Sequence, residues 1–583
     1  MPRRSPHISF LAHRMGSDTE KPAFSLSRQR SYKIWGLVLG ILLILTLSHF
    51  IFPSSPTPPT PSNTYTNKNL KPKNYFNTTG STGAYLPNPF PFCNPALPNP
   101  LSEKYTPHIL SKTPLHTGSN ARLKRIIHRA LSGHPTTISI IGGSISACHG
   151  SGDDPISPKC YPAKTFEWWN DLFPHPASEL TNGAMRKTTS QYFGYCVSNH
   201  IPDAPDLVIV ELDTSDEPGP GPLESYELLL RTLLSLPSTP AVLLLSHFSP
   251  QTHLAHGFAG AGHSHLSAAH FYDTPQLSIS PILLPLWMKD STSVLGPGGY
   301  YTDMVLSNER GHEVMSDVLR AFIEKTTCEV WDEVGEEIEE GGEVDKKGLF
   351  AGLGHRPGVP EEHAAPAAGL GAGAGQDPPS AEKDPLIEHS PRKKPSYDLS
   401  TLSIPPHLMS TPPTNNKKFE EPSPFCVSAN DLVNPLPPTL FYGSGWSATH
   451  PSGTGAGSAS EKGPLAHYWS STLPTSKIRI PIQTGAGDVG IYYLAEPTGI
   501  HQIANEGGGR HGGALEPSSV ECWVDDNYPG AKVVENRGEG EERAVLHLID
   551  HNVSRGSHFI ECQLLGEEGV HVREFKIVGV FAT

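Results

Sequence analysis

Three uniformly apolar runs constrain this chain more than anything else in it. They are Thr137 to Ile141, Asp206 to Leu212, and AVLLLSHF from Ala241 to Phe248. A strand that is apolar on both faces cannot lie on a surface, so these runs predict a parallel sheet covered by helices on both sides. The intervening sequence supplies the helices. SNARLKRIIHRALSG has helical periodicity with Gly133 as a stop, and KTFEWWNDLF puts Phe166, Trp169 and Leu172 on one face. A further helix is expected around Leu223 to Leu236, and a last one from about Asn308 to Lys325 with Ser307 as N-cap. These elements define an α/β domain over residues 116–328.

The first of these strands runs into TISIIGGSISACHG, residues 137–150. The strand breaks at Gly142-Gly143 and delivers Ser144 into a turn. Two glycines permit a sharp bend and a close approach of backbone to a ligand. A serine at the end of an apolar strand is also where α/β esterases place a nucleophile, while an ordinary Gly-Ser turn has the same spelling. Asp213 and Asp216 follow the second strand and read as turn residues at the edge where α/β sites form.

The rest of the chain changes character several times. Net charge is −15, and the first 33 residues hold seven basic residues against two acids. A body this acidic excludes a nucleic-acid footprint. After the basic tail of residues 1–33, the nearly uncharged run 34–52 is long enough to span a membrane as a signal anchor, with the basic end cytosolic. Residues 53–115 read as a Pro/Ser/Thr-rich stem. Asn77 and Asn552 lie in glycosylation sequons, in keeping with a lumenal portion. Residues 329–418, with an acidic run followed by Ala/Gly/Pro-rich sequence, read as a disordered linker. Residues 419–583 hold short β-rich runs at regular spacing and predict a β-sandwich. Cys522 and Cys562 sit in two of those strands and are expected to pair in an oxidising lumen. No CxxC pair occurs, no metal site is expected, and no cofactor is called for.

The ordered blocks GGSIS, NGA…SQYF, PDLVIVE and the Asp303 segment before NERGHEVMSDVL resemble those of SGNH (GDSL-like) hydrolases. CWVDDN and FKIVGVFAT are similar to fungal capsular-associated proteins of the Cap64 kind, which carry such a domain behind a membrane anchor. The resemblance covers residues 116–328 and 419–583. It implies a flavodoxin-like three-layer fold and acyl chemistry on a glycan. Carried over by position, it makes Ser144 the nucleophile, Asp303 the orienting acid, and the Ser144 amide, Gly183 and Ser215 the oxyanion site. The sequence departs from the pattern at Gly143, Thr189 and Ser215, and at Leu306, where the family has its histidine. His312, or one of His247, His253, His256, His263, His265 and His270 on a mobile loop, is then the remaining source of a base.

Three functions fit: an anchored lumenal esterase or O-acyltransferase on a polysaccharide, in the Golgi or elsewhere in the secretory pathway; a catalytically inactive glycan-binding protein; or a scaffold for glycan assembly. The scaffold would act through the β-rich domain, with Trp446, Tyr468, Trp469, Tyr492 and Tyr493 stacking on sugars.

Overall fold

The structure is a computed structural model that describes residues 64–76, 87–339, 403–410, 421–430, 442–449, 467–496, 517–538 and 542–583. The expected anchor at 34–52, the basic tail, Asn77 and most of the linker lie outside the described residues. Among the described residues no helix is long and apolar enough to cross a membrane.

The α/β domain is built on seven strands: β1 (Thr64–Thr66), β2 (Pro114–His116), β3 (Thr137–Gly142), β4 (Glu179–Asn182), β5 (Leu207–Glu211), β6 (Ala241–Ser246) and β7 (Gln276–Ser278). Their order is β1-β4-β3-β5-β6-β7-β2. The five central strands are parallel, and β1 and β2 close the two edges antiparallel. Within the parallel part the first strand in sequence lies between the second and the third, the flavodoxin-like order. The switch point therefore falls at the carboxyl ends of β3 and β5.

Helices Ala121–Leu131, Tyr161–Leu172 and Glu309–Glu339 cover one face, burying Leu123, Ile127, Phe166, Trp169 and Leu319 against Ile138, Ile140 and Leu243. Helices Ser190–Cys196, Pro220–Leu234 and Ala261–Phe271 bury Tyr192, Phe193, Leu229 and Ala268 against Ile141, Val208 and Val210 on the other. Each buried Leu, Ile, Val or Phe among them contributes about 1.5–3 kcal/mol.

The structure moves three expected boundaries. Residues 64–76 and 87–115 are folded rather than a stem: Tyr75, Phe90, Leu101 and Tyr105 enter the core, and Cys93 is bonded to Cys328. The last helix runs on to Glu339, into the acidic run. Its cap is Asn308, whose Oδ1 accepts from the amides of Arg310 at 2.9 Å and Gly311 at 3.3 Å, and not Ser307. Residues 403–410 are docked on the helix Pro220–Leu234. Arg231 donates to the Pro405 carbonyl at 2.8 Å and the Ser410 amide to Glu227 at 2.8 Å.

Among the described residues the C-terminal domain has eleven strands. They are β8 (Phe425–Ser428), β9 (Tyr442–Ser444), β10 (Ser447–Thr449), β11 (Tyr468–Ser471), β12 (Lys477–Thr484) and β13 (Val489–Ala495). The others are β14 (Ser519–Val524), β15 (Lys532–Glu535), β16 (Arg543–Asp550), β17 (Gly556–Leu564) and β18 (Phe575–Ala582). One antiparallel sheet has the order β10-β11-β18-β13-β16 with β8 also on β18, the other β15-β14-β17-β12-β9. Cys522 and Cys562 are direct partners across β14 and β17 and form a disulfide, with Cα atoms 4.1 Å apart. Trp446, Tyr468, Trp469, Tyr492 and Tyr493 are all buried, so they are core and interface residues rather than sugar platforms.

This domain packs on the helix Ser190–Cys196. Tyr195 stacks on Phe581 with centroids 4.5 Å apart, and Tyr192 meets Tyr492 edge-on at 5.0 Å. The disulfide Cys196–Cys426 spans the two domains across 230 residues of sequence. In the chain-entropy picture a closure of that length is worth about 5 kcal/mol.

Candidate functional site

Ser144 follows β3 at the switch point, and the two glycines before it are fixed by space. A Cβ on Gly142 would lie 2.6 Å from the Glu211 carbonyl oxygen, and one on Gly143 would lie 2.0 Å from Ser215 Oγ. The glycines thus let the chain's own neighbours approach. The same contact leaves no room for a side chain at 143 and places the Ser215 hydroxyl beside the Gly143–Ser144 peptide. Ser144 Oγ accepts a hydrogen bond from the Lys187 amide at 3.0 Å. Among the described residues no carbonyl accepts from the Ser144 amide, which leaves that donor available.

Gly183, the other expected oxyanion donor, is excluded. Its amide donates to the Ile140 carbonyl at 3.0 Å, and a Cβ there would sit 2.0 Å from the His200 carbonyl oxygen. It is a packing glycine. Its neighbour Asn182 has a structural task, donating through Nδ2 to the carbonyls of Ser146 at 2.8 Å and Pro155 at 2.7 Å. Thr189 is a backbone cap for the helix Ser190–Cys196, with its hydroxyl buried and unpartnered.

The loop after Ser144 is tightly wound. Cys148 and Asp153 adopt left-handed φ values of 62° and 57°. Non-glycine residues in that region cost energy and persist only where the surroundings enforce them. Here the Cys148–Cys160 disulfide and Asn182 do so. The His149 amide closes the turn on the Ser144 carbonyl at 3.0 Å. His149 Nδ1 lies 2.8 Å from Asp153 Oδ1, which also accepts from Arg186 Nη2 at 2.8 Å and from the Gly150 amide at 3.3 Å. Burial alone would raise the Asp153 carboxyl, but His149, Arg186 and the Gly150 amide hold it below its ordinary value. Sequence reasoning missed this pair. The histidine–x₃–aspartate spacing was visible in HGSGD, but only the left-handed turn brings the two side chains together.

The expected triad is not assembled. Asp303 is exposed, and its Oδ1 accepts from the amides of Val305 at 2.7 Å and Leu306 at 2.6 Å, which makes it a turn cap. Leu306 is half-buried and packs beside Gly150. His312 is in the core, with Nδ1 3.4 Å from the Tyr161 amide and its ring stacked on Tyr161. Burial lowers it to about 3, so it is neutral and closed off.

The histidine-rich stretch is not a mobile loop. It comprises the end of β6 and two helices, Pro250–His256 and Ala261–Phe271. His247 is buried with Nε2 2.7 Å from Ser307 Oγ, and desolvation lowers it to about 3. His265 is buried between Asp216, at 3.1 Å, and the ring of Tyr226. His270 packs edge-on against His116.

Three buried acids lie beneath the site. Burial pushes Glu211 up to about 7 despite hydrogen bonds from Ser146 and Thr214. Asp213 is raised well above its ordinary value by burial and by Glu211. Asp216 accepts from the Ser190 amide at 2.7 Å. All three are buried in the scaffold at the strand ends, as is Ser146, whose hydroxyl donates to Glu211 at 2.8 Å. Among the described residues no group of three His, Cys, Asp or Glu side chains is arranged to hold a metal ion.

The C-terminal domain reaches the site through Lys187. Lys187 has a left-handed φ of 56° and holds Ser144 with its amide. Its carbonyl accepts from the Ala544 amide at 2.9 Å, and its Nζ pairs with Glu542 at 3.0 Å.

No family model matches the chain, and no curated protein matches it. Solved structures do. One is a two-domain esterase active on acetylated mannans, 17% identical, covering 81% of this chain and 98% of that one at a TM-score of 0.48. The same esterase co-crystallised with mannopentaose gives 17% identity, 81% and 97% coverage and a TM-score of 0.47. A lipolytic protein of the G-D-S-L family from Desulfitobacterium hafniense DCB-2 is 15% identical, covering 32% of this chain and 99% of that one at a TM-score of 0.25.

Proposed function

We propose that this chain is a serine esterase or O-acyltransferase acting on an acylated glycan, with Ser144 as nucleophile. The observation that carries the reading is the setting of Ser144. Its hydroxyl is fixed by the Lys187 amide at the switch point of a parallel sheet, with the Ser215 hydroxyl beside the same peptide. The Ser144 amide and Ser215 would hold the oxyanion as an ester carbonyl becomes tetrahedral, the usual source of much of the rate. Hydrolysis and transfer share the acyl-serine stage and differ in whether water or a sugar hydroxyl accepts the acyl group. The glycan rests on the resemblance of CWVDDN and FKIVGVFAT to capsular-associated proteins. Four disulfides among the described residues favour an oxidising compartment. With residues 34–52 as anchor, we place the folded portion in the lumen of the secretory pathway, glycosylated at Asn77 and Asn552.

A different reading has its own support. Leu306 removes the expected base and the capping role of Asp303 removes its orienting acid, as in a glycan-binding protein that has kept only the scaffold. Fluorophosphonate labelling of the full-length chain in detergent separates the two. Labelling that disappears in Ser144→Ala supports the esterase, and a folded wild-type protein that takes no label favours the binder.

A further inference from the structure

Resting on that reading of Ser144, we infer that His149, oriented by Asp153, is the general base, supplied by the loop that follows the nucleophile and not by position 306. Three observations converge. First, the turn that carries Ser144 is closed by the His149 amide on the Ser144 carbonyl at 3.0 Å, so both residues belong to one short loop at the sheet's carboxyl edge. Second, Asp153 Oδ1 lies 2.8 Å from His149 Nδ1. An ionised carboxylate only accepts, so in the neutral imidazole Nδ1 carries the proton and Nε2 keeps the lone pair, the tautomer a base requires. Third, consecutive residues of another loop grip both ends. Arg186 holds Asp153 at 2.8 Å, while the amide of Lys187 holds Ser144 Oγ at 3.0 Å. Because Lys187 donates to Ser144 Oγ, the serine proton is free to point elsewhere.

The surroundings agree. Leu306, which occupies the position of the expected histidine, packs beside Gly150, the residue after His149. The vacated base position and the new one are therefore adjacent. Three of the other candidates are engaged: His247 with Ser307, His265 with Asp216, and His312 in the core. His149 is only part-buried, as a group that must meet substrate needs to be.

The proton balance closes without a further reagent. His149 Nε2 takes the Ser144 Oγ proton as Oγ bonds to the ester carbonyl carbon, and the carbonyl electron pair moves onto oxygen. When the tetrahedral species collapses, the sugar oxygen leaves with the proton from Nε2. Water, or an acceptor sugar hydroxyl, then gives its proton to Nε2 as it attacks the acyl-serine. That proton returns to Ser144 Oγ as the serine is released.

The test uses the full-length protein, with fluorophosphonate labelling rate as readout. His149→Ala and His149→Gln are compared with wild type and Ser144→Ala, folding being checked by melting temperature. His149→Ala is expected to label about 10²–10⁴-fold more slowly, and added imidazole to restore part of the rate. His149→Gln, which can still hydrogen-bond Asp153, is expected to be as slow with a native melting temperature. If both variants keep a rate within about threefold of wild type while Ser144→Ala labels not at all, the serine assignment stands and His149 is not the base. If the wild type does not label, the esterase reading and this inference fall together. Slow labelling in both variants without imidazole rescue, and with a lowered melting temperature, would make His149 structural and overturn the inference.

Discussion

Two loops face each other at the carboxyl edge of the parallel sheet, residues 143–153 after β3 and 301–307 before the last helix. By sequence the 301–307 loop is chemically the richer, since it carries the Asp303 of a familiar Asp-x-x-His block. In the structure the roles are exchanged. The 301–307 loop is a turn, capped by Asp303, bridged between Tyr301 and Ser307, and lined by Leu306. The 143–153 loop holds an accessible serine, a histidine on a carboxylate and two strained left-handed residues under a disulfide. The difference teaches that a scaffold constrains where a base must sit more tightly than which segment supplies it.

The comparison breaks most directly if the base is moved back. In a His149→Ala background, Leu306→His should recover labelling by about tenfold to a hundredfold, a small share of what general-base catalysis is worth. In the wild-type background the same change should leave the rate within about threefold. Recovery without His149 would confirm that the two loops address one position, and its absence would show that they do not.

A further experiment separates catalytic from structural histidines. His200 is lowered to about 4, and His247 and His312 to about 3, all chiefly by burial. Groups held neutral in this way stabilise the fold above the unfolded histidine value near 6.5, and that stability is lost as pH falls toward their folded values. Glu211, raised to about 7, works in the opposite sense. Its contribution is complete below about 4.5 and is lost as pH rises through 7. The two effects oppose one another between pH 7 and 4.5. Below that Glu211 no longer opposes the histidines, each of which costs about 1.4 kcal/mol per pH unit, and carboxylates held low by cationic partners, such as Asp153, Glu542 and Glu561, add to the loss. Urea unfolding from pH 7 to 3.5 should show a shallow upper limb and a steep acid limb. His312→Gln should flatten the acid limb without slowing labelling, whereas His149→Gln should slow labelling.

The smallest effect concerns Gly143. Gly143→Asp would place a Cβ 2.0 Å from Ser215 Oγ. We expect a loss of about 1–3 kcal/mol, as for other overpacked sites, partly relieved by Ser215→Ala. Thermal melts of the three variants would measure it. A Gly143→Asp protein as stable as wild type would mean that Ser215 does not stand beside the Ser144 peptide.

Much of this fold was legible because the apolar runs have no alternative fate. Thr137 to Ile141 and the Leu207–Glu211 strand are buried on both faces and had to be central and parallel. The cross-strand Cys522–Cys562 pair followed from two β-rich runs in one domain. The edge strands β1 and β2 were not legible, since they are three residues each in Pro- and Asn-rich sequence and exist only because they pair with β4 and β7. The site was half legible. Ser144 was singled out because it follows an obvious strand, and Ser215 only through the family resemblance. His149 and Asp153 were not, because their contact depends on left-handed backbone at Cys148 and Asp153, and nothing in side-chain patterning reports φ. His312 stayed ambiguous for the opposite reason. A histidine one turn into a helix reads the same whether it faces a cleft or, as here, the core.

The disulfide between Cys196 and Cys426 has a bearing on how this protein would be handled by proteases. Of the four bonds it alone joins residues on opposite sides of 340–402. A single backbone cut anywhere in that interval would yield a two-chain molecule whose halves stay covalently attached. On a gel it would migrate as one species without reductant and as two with it. Maturation by such a nick would leave the site loops, the Lys187 contact and the domain interface in place, and would pass unnoticed under non-reducing conditions.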